Sequence, residues 1–353
     1  TTDGLFYADT RFLSGYTLKL NGEVPLVLSS RNIGHHSASF YSTNRSSTEI
    51  PQGRITLIRD RYVDKGLHED ITIINHGTKE AKVVLDFEFA ADFADVFEVR
   101  GAERVRERAV SQSIEESHSA LVFSYRRAEF CRQARVSFSE QPHLVEDGHI
   151  RFSLILGAKE KWQTCLTVTL VIDGSTTAVT CRASDFQEIE MGSTIPGGCR
   201  FGQPQIDAQD EWVSSVPKLI TDDHTVCQAY CRAVSDLAAL RLTTTTGHRL
   251  PAAGLPWYLA IFGRDSIITA LQTIILGPTL AAGTLNCLAQ YQSHRLDDFR
   301  DEQPGKMPHE IRTGELACLD EVPHSRYYGT VDATPLYLVL LSETLRWTGD
   351  IEL

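Results

Sequence analysis

The period of the hydrophobic pattern changes once along this chain, near residue 200, and that change limits the folds open to it. Before it, apolar residues recur at every second position. Val83, Leu85, Phe87 and Phe89 alternate with Lys82, Asp86 and Glu88, the pattern of a strand buried on one face. The stretches 54–62, 69–75, 120–125, 135–139, 150–156 and 164–172 read the same way. Turn signals such as Asn75-His76-Gly77 and Asp147-Gly148 separate them. Many short strands with little helix between them predict an antiparallel β-sandwich over residues 1–200.

Gly192, Pro196-Gly197-Gly198, Gly202, Pro204 and Pro217 crowd the next stretch. This is linker composition, and the linker is placed at 201–220. From 221 to 353 the period is helical. Asp222-Asp223 is placed to cap a helix reaching about Arg241, with Val226, Ala229, Tyr230, Ala233, Leu237 and Leu240 on one face. A second helix is expected from about Asp265 to the stop at Gly277-Pro278, a third over 279–293, and a fourth from Asp332 to Thr348-Gly349-Asp350. Between the last two lies a long aperiodic loop, 295–331. Loops of that length inside a compact domain are usually functional or disordered, and the aromatics, His and charges of this one favour function.

Charge excludes some partners. With 46 acidic against 34 basic residues the net charge is -12, which disfavours nucleic acid and anionic membrane surfaces. No apolar run has the length of a membrane helix, and residues 1–30 hold no basic-then-apolar leader. A cytoplasmic protein with a neutral substrate is expected. The eight cysteines show no compact disulfide framework. Cys227 and Cys231 have the spacing of half a metal site, but no second pair follows, so neither metal nor cofactor is assigned.

Three polar–aromatic clusters remain. In 253–266, Trp257 and Tyr258 offer flat faces for a sugar's C–H face, and Arg264-Asp265 sets a donor beside an acceptor at a helix start. Capping of that helix explains Asp265 equally simply. In 301–312, His309-Glu310 lacks the second His of a metalloprotease helix, leaving a solvated loop or the mouth of a helical barrel. In 327–335, Asp332 again stands at a helix start, beside Tyr327-Tyr328, and capping or ligand contact would each account for it. No phosphate-binding Gly-rich loop and no nucleophile elbow occur.

On these clusters, together with the opening Asp3-Gly4-Leu5-Phe6-Tyr7-Ala8-Asp9-Thr10-Arg11-Phe12-Leu13-Ser14, nearly the whole chain resembles bacterial proteins of the amylo-α-1,6-glucosidase, or glycogen debranching-like, family. The resemblance implies a β-domain followed by an (α/α)6 barrel of helical hairpins. The Arg264-Asp265-Ser266 run is also similar to a run in glucoamylase-like barrels that holds hydroxyls of the sugar in the −1 subsite. Trp257 would then stand at the pocket wall, with Tyr258 beside it, and His309, Glu310 and Asp332 at the rim. The implied partner is an α-glucan or oligosaccharide, and the implied chemistry is inverting hydrolysis by two carboxyl groups roughly 6.5–9.5 Å apart.

Only four long helical segments are legible where a barrel of six hairpins implies more. The catalytic pair is therefore expected beyond Leu353, with Asp332 the best acid candidate inside the chain. The chain alone is expected to be inactive, and its unpaired apolar helix faces would favour homo-oligomers. Two alternatives stand beside this reading: a hydrolase of a small α-glycoside such as mannosylglycerate on the same fold, and a non-catalytic carbohydrate-binding or assembly fragment. Asp92, Asp95 and Glu98 are read as a solvated acidic face.

Overall fold

A computed structural model describes residues 2–101, 106–115, 120–177, 211–244 and 246–351. The Gly- and Pro-rich stretch 192–204 and Leu353 lie outside the described residues. The chain divides into two compact units, Thr1–Gln203 and Pro204–Leu353.

The first unit is built of antiparallel strands. They are β1 (Leu5–Tyr7), β2 (Thr10–Leu13), β3 (Gly15–Leu20), β4 (Leu26–Asn32), β5 (Ser37–Thr43), β6 (Ile55–Val63), β7 (Gly66–Asn75) and β8 (Ala81–Ala90). A short helix α1 (Val96–Gly101) follows, then β9 (Ser111–Ile114), β10 (Ala120–Arg127), β11 (Phe130–Phe138), β12 (Leu144–Glu146), β13 (His149–Leu156), β14 (Lys161–Ile172) and β15 (Ser175–Thr176). The large sheet runs β4-β5-β6-β7-β14-β11-β10-β9, with β15 on β14, and the small sheet runs β12-β13-β8-β3.

Aromatic side chains join the two sheets. Phe87 on β8 meets Phe138 on β11 at 4.8 Å between ring centroids. Phe152 on β13 meets Phe138 at 5.0 Å and Trp162 on β14 at 5.3 Å. Val83, Leu85 and Phe87 are fully buried, as their alternation requires. Burying each such side chain contributes about 1.5–3 kcal/mol. The β12–β13 connection is a tight hairpin through Asp147 (φ 37) and Gly148 (φ 81). Two successive positive φ values match the right-handed twist of the flanking strands. A Cβ at Gly148 would lie 2.9 Å from the Phe89 carbonyl oxygen.

The acidic triplet is not a solvated face. Arg11 holds Asp92 through two nitrogens, at 3.1 and 2.5 Å. Asp95 is 1% exposed and accepts from the Phe97 amide at 2.9 Å, while Glu98 reaches back to the Asp95 amide at 3.1 Å. This reciprocal pair is a capping box for α1. Glu98 also pairs with Arg108.

The second unit is mainly helical: α2 (His224–Ala239), α3 (Gly263–Gln272), α4 (Thr279–Ala289), α5 (Glu315–Cys318) and α6 (Ala333–Thr348). Asp223 caps α2, accepting from the amides of Thr225 at 2.8 Å and Val226 at 3.1 Å. The buried stripe of α2 is rotated from the expected one. Val234 and Ala238 pack with Trp212, Val216 and Leu280, flanked by Tyr230 and Leu237, whereas Val226, Ala229 and Ala233 are exposed. A second core joins α3, α4 and α6 through Ile267, Ala270, Ala281, Leu285, Leu288, Met307, Ala333 and Leu340.

Two short two-stranded sheets belong to this unit: the hairpin of β16 (Arg241–Thr243) with β17 (Arg249–Pro251), and the non-local pair of β18 (Ile261–Phe262) with β19 (Glu310–Ile311). The segment 295–331, expected to be aperiodic, carries β19, α5 and the single turns Asp298–Arg300 and Pro323–Ser325. Arg300 ties it together by pairing with Asp297 at 2.9 Å and with Asp320.

Candidate functional site

The pairing of β18 with β19 sets Phe262 opposite Glu310. Immediately after it, the Gly263 amide donates to the His309 carbonyl at 2.9 Å. A Cβ on Gly263 would lie 2.0 Å from the Pro308 carbonyl oxygen, so only glycine permits this approach. The start of α3 is thereby held against the segment 308–310. Arg264, the next residue, projects from the first turn of α3 toward the start of α6.

There it meets Asp332. Arg264 Nη1 donates to Asp332 Oδ2 at 3.2 Å, and Thr330 Oγ1 donates to Asp332 Oδ1 at 2.5 Å. These three residues line an open cavity of about 500 Å³ with Asp301, Lys306, His309, Tyr327, Gly329 and Val331. Tyr327 Oη donates to Asp301 Oδ2 at 2.8 Å, and Lys306 Nζ donates to the Asp301 carbonyl at 2.7 Å. The His309 ring stands edge-on between Phe262 and Tyr327, at 6.0 Å from each. Its Nδ1 is buried and has no hydrogen-bond partner among the described residues. Cations, carboxylates, a hydroxyl and a phenol on one open wall suit a neutral polyol, whose hydroxyls both donate and accept.

The cavity brings together Arg264, His309 and Asp332 from the residues expected at a site. Asp332 does not cap its helix, since its side chain takes no N–H of the first turn of α6. The Thr330 hydroxyl, and with it the Arg264 guanidinium, hold its carboxyl below the usual Asp range against an upward push from burial. The carboxyl is thereby kept ionised, which suits it to accept hydrogen bonds from hydroxyls.

Four expected residues lie elsewhere. Asp265 does not share the cavity with Arg264. Successive helical residues point about 100° apart, and Asp265 is half-buried on another side of α3, making no side-chain cap. Glu310 is not at the rim. It is 7% exposed and bonded to His324 Nε2 at 3.0 Å, with Arg312 Nη2 at 3.5 Å. Burial pushes its carboxyl up, but the His324 bond and the charges of Arg312, His324 and His309 outweigh that and lower it. His309, just before the strand, lines the cavity, whereas Glu310 at its start is buried. Trp257 and Tyr258 are half-buried, with Tyr258 edge-on to Phe262 at 5.9 Å, and neither lines the cavity.

Asp301, Lys306 and Thr330 were not singled out from the sequence, and Tyr327 only as half of the Tyr327-Tyr328 pair, although each falls inside one of its polar–aromatic clusters. Their convergence depends on non-local pairing, such as the Tyr327 amide donating to the Glu310 carbonyl at 3.0 Å.

Comparison with known proteins gives a family for the first unit and a fold for the chain. Residues 1–167 match the family described as the N-terminal domain of some glycogen debranching enzymes. No curated protein sequence matches the chain. A candidate kojibiose phosphorylase from the human microbiome superposes with a TM-score of 0.60 at 9% identity, over 97% of this chain and 47% of that one. The chain thus spans about half the length of that protein and shares its order of antiparallel sheets followed by helices. Galactose mutarotase-like proteins superpose only loosely. The one from Clostridium acetobutylicum has a TM-score of 0.23 at 8% identity, over 43% of this chain and 67% of its own. The one from Lactobacillus casei has 0.25 at 11%, over 42% and 74%. Over residues 1–167 this chain is thus similar to the N-terminal domain of some glycogen debranching enzymes.

Proposed function

We propose that the chain is part of a carbohydrate-active enzyme of the glycogen debranching type, and that the cavity around Arg264 and Asp332 binds a sugar ring of an α-glucan or oligosaccharide. The observation that carries this reading is the Arg264–Asp332 pair on an open polar cavity, in a chain whose residues 1–167 match the N-terminal domain of some glycogen debranching enzymes. Inverting hydrolysis of an α-glucosidic bond, with the second unit as the first hairpins of an (α/α)6 barrel, is the activity and architecture we assign to the enzyme. Within this chain Asp332 takes a binding role, and the chain is expected to bind without cleaving.

A second reading, phosphorolysis, is favoured by the fold likeness to a candidate kojibiose phosphorylase and by the cations Arg264 and Lys306 on the same wall as His309. Calorimetric titration with maltose, isomaltose and glycogen limit dextrin, with and without inorganic phosphate, separates the two. Binding of glucosides regardless of phosphate supports hydrolysis, and binding that requires phosphate supports phosphorolysis. No heat with any sugar contradicts both.

A further inference from the structure

Away from this cavity, one cluster in the first unit has the chemistry of a metal site. His68 and Asp70 alternate on β7, so both project from the same face of the large sheet. The neighbouring strand β14 sets Cys165 opposite Asp70 and Thr167 opposite His68. His68 and Cys165 are each 1% exposed and Asp70 is 9% exposed. The imidazole nitrogen, carboxylate oxygen and sulfur all lie within 4.8 Å of one another.

We infer that His68, Asp70 and Cys165 form a binding site for a divalent transition-metal ion of the zinc class, clamping β7 to β14. Thiolate, imidazole and carboxylate together match the donor preferences of zinc, whose bonds to S, N and O are about 2.3, 2.0–2.1 and 2.0–2.2 Å. Three such donors around one ion must stand within a few ångströms of each other, as these do. Cys165 Sγ donates to Asp70 Oδ1 at 2.9 Å, and His68 Nε2 contacts the same oxygen at 3.0 Å. An ion among the three would replace the protons these contacts share.

The surroundings fit that exchange. His68 Nδ1 lies 3.4 Å from Thr167 Oγ1. A proton on Nδ1 directed at that hydroxyl leaves the Nε2 lone pair for the ion, and such outer contacts orient ligating histidines. On the other side β6 sets Asp60 directly opposite Asp70. Like charges facing each other across strands are unfavourable, and a cation beside Asp70 offsets them. The neighbouring Glu69 takes no part. It faces the small sheet, bonded to Tyr16 and Arg61 at 2.6 Å each. Binding releases the Cys165 thiol proton to solvent, with no change of oxidation state.

The test is a Co²⁺ titration of the chelator-treated 353-residue chain carrying Cys227→Ser and Cys231→Ser, which removes the cysteine pair with the spacing of half a metal site. The expected result is one ion per chain, a saturable thiolate-to-cobalt charge-transfer band, and a higher melting temperature with the ion bound. Adding Cys165→Ser should abolish the band and weaken binding at least tenfold, and Asp70→Asn should weaken binding with the band reduced. If either variant fails to fold, the titration of the parent decides. No saturable band in the parent, or a band that survives Cys165→Ser, overturns the inference.

Discussion

Arg264 and Asp332, 68 residues apart, are joined at 3.2 Å across the start of two helices, and neither is joined to the acidic neighbour that the sequence offers Arg264. The pair is placed by backbone, through the Gly263–His309 bond on one side and the approach to α6 on the other. Its side chains are 45% and 37% exposed. At that exposure an ion pair contributes only about 0–1 kcal/mol to stability. Arg264→Ala and Asp332→Asn should therefore shift the melting temperature by no more than a few degrees. A larger loss would mean that the pair holds the fold and not a ligand.

Glu310 should behave in the opposite way. Removing one partner of a buried pair costs about 3–5 kcal/mol, so Glu310→Ala should be strongly destabilised in chemical denaturation. Its carboxyl value is depressed in the fold. The stabilisation it supplies is present above the unfolded value of about 4.3 and is lost as pH falls through the lower folded value. Wild-type protein should keep this contribution from pH 7 down to pH 5 and lose it in stronger acid, whereas the difference between wild type and Glu310→Ala should shrink there.

Gly263→Ala tests the close approach of backbone at the cavity floor. In an ordinary helix this change is stabilising by nearly 1 kcal/mol. Here the added methyl would collide with the Pro308 carbonyl at 2.0 Å, so a loss of about 1–3 kcal/mol is expected. The sign of the change, read from denaturant midpoints, decides the matter.

Asp95→Ala separates a cap from a surface charge. A lost N-cap costs about 0.5–2 kcal/mol, while a solvated acid changes stability by less than about 0.5 kcal/mol. The structure predicts the larger figure, again from denaturant midpoints.

Much of the architecture was legible where local chemistry decides it. The alternation at 82–89 marked β8, Asp223 marked the start of α2 and Gly349 the end of α6, whereas α3 ends at Gln272, short of Gly277-Pro278, which instead follows a single tight turn, Ile274–Leu276. Strand β4 was not legible, because it is an exposed edge with almost no buried position to create an alternation. Asp95 and Glu98 have the spacing of a capping box, but charge composition concealed it. The candidate site was legible only in part. Arg264, His309 and Asp332 stood out, yet sequence adjacency suggested Asp265 as the partner, and helix geometry turns that residue away. The buried His68–Asp70–Cys165 cluster rests on strand register across 95 residues, which no spacing rule reveals.

The central claim is that Arg264 and Asp332, not Arg264 and Asp265, grip a sugar. Calorimetric titration of oligosaccharides from glycogen limit dextrin into wild type, Arg264→Ala, Asp332→Asn and Asp265→Ala tests it directly. Each charge-assisted bond lost should cost about 1.5–3 kcal/mol, or about 10- to 150-fold in affinity, in the first two variants, with Asp265→Ala close to wild type. Equal affinity in all four proteins, or a loss confined to Asp265→Ala, would contradict it.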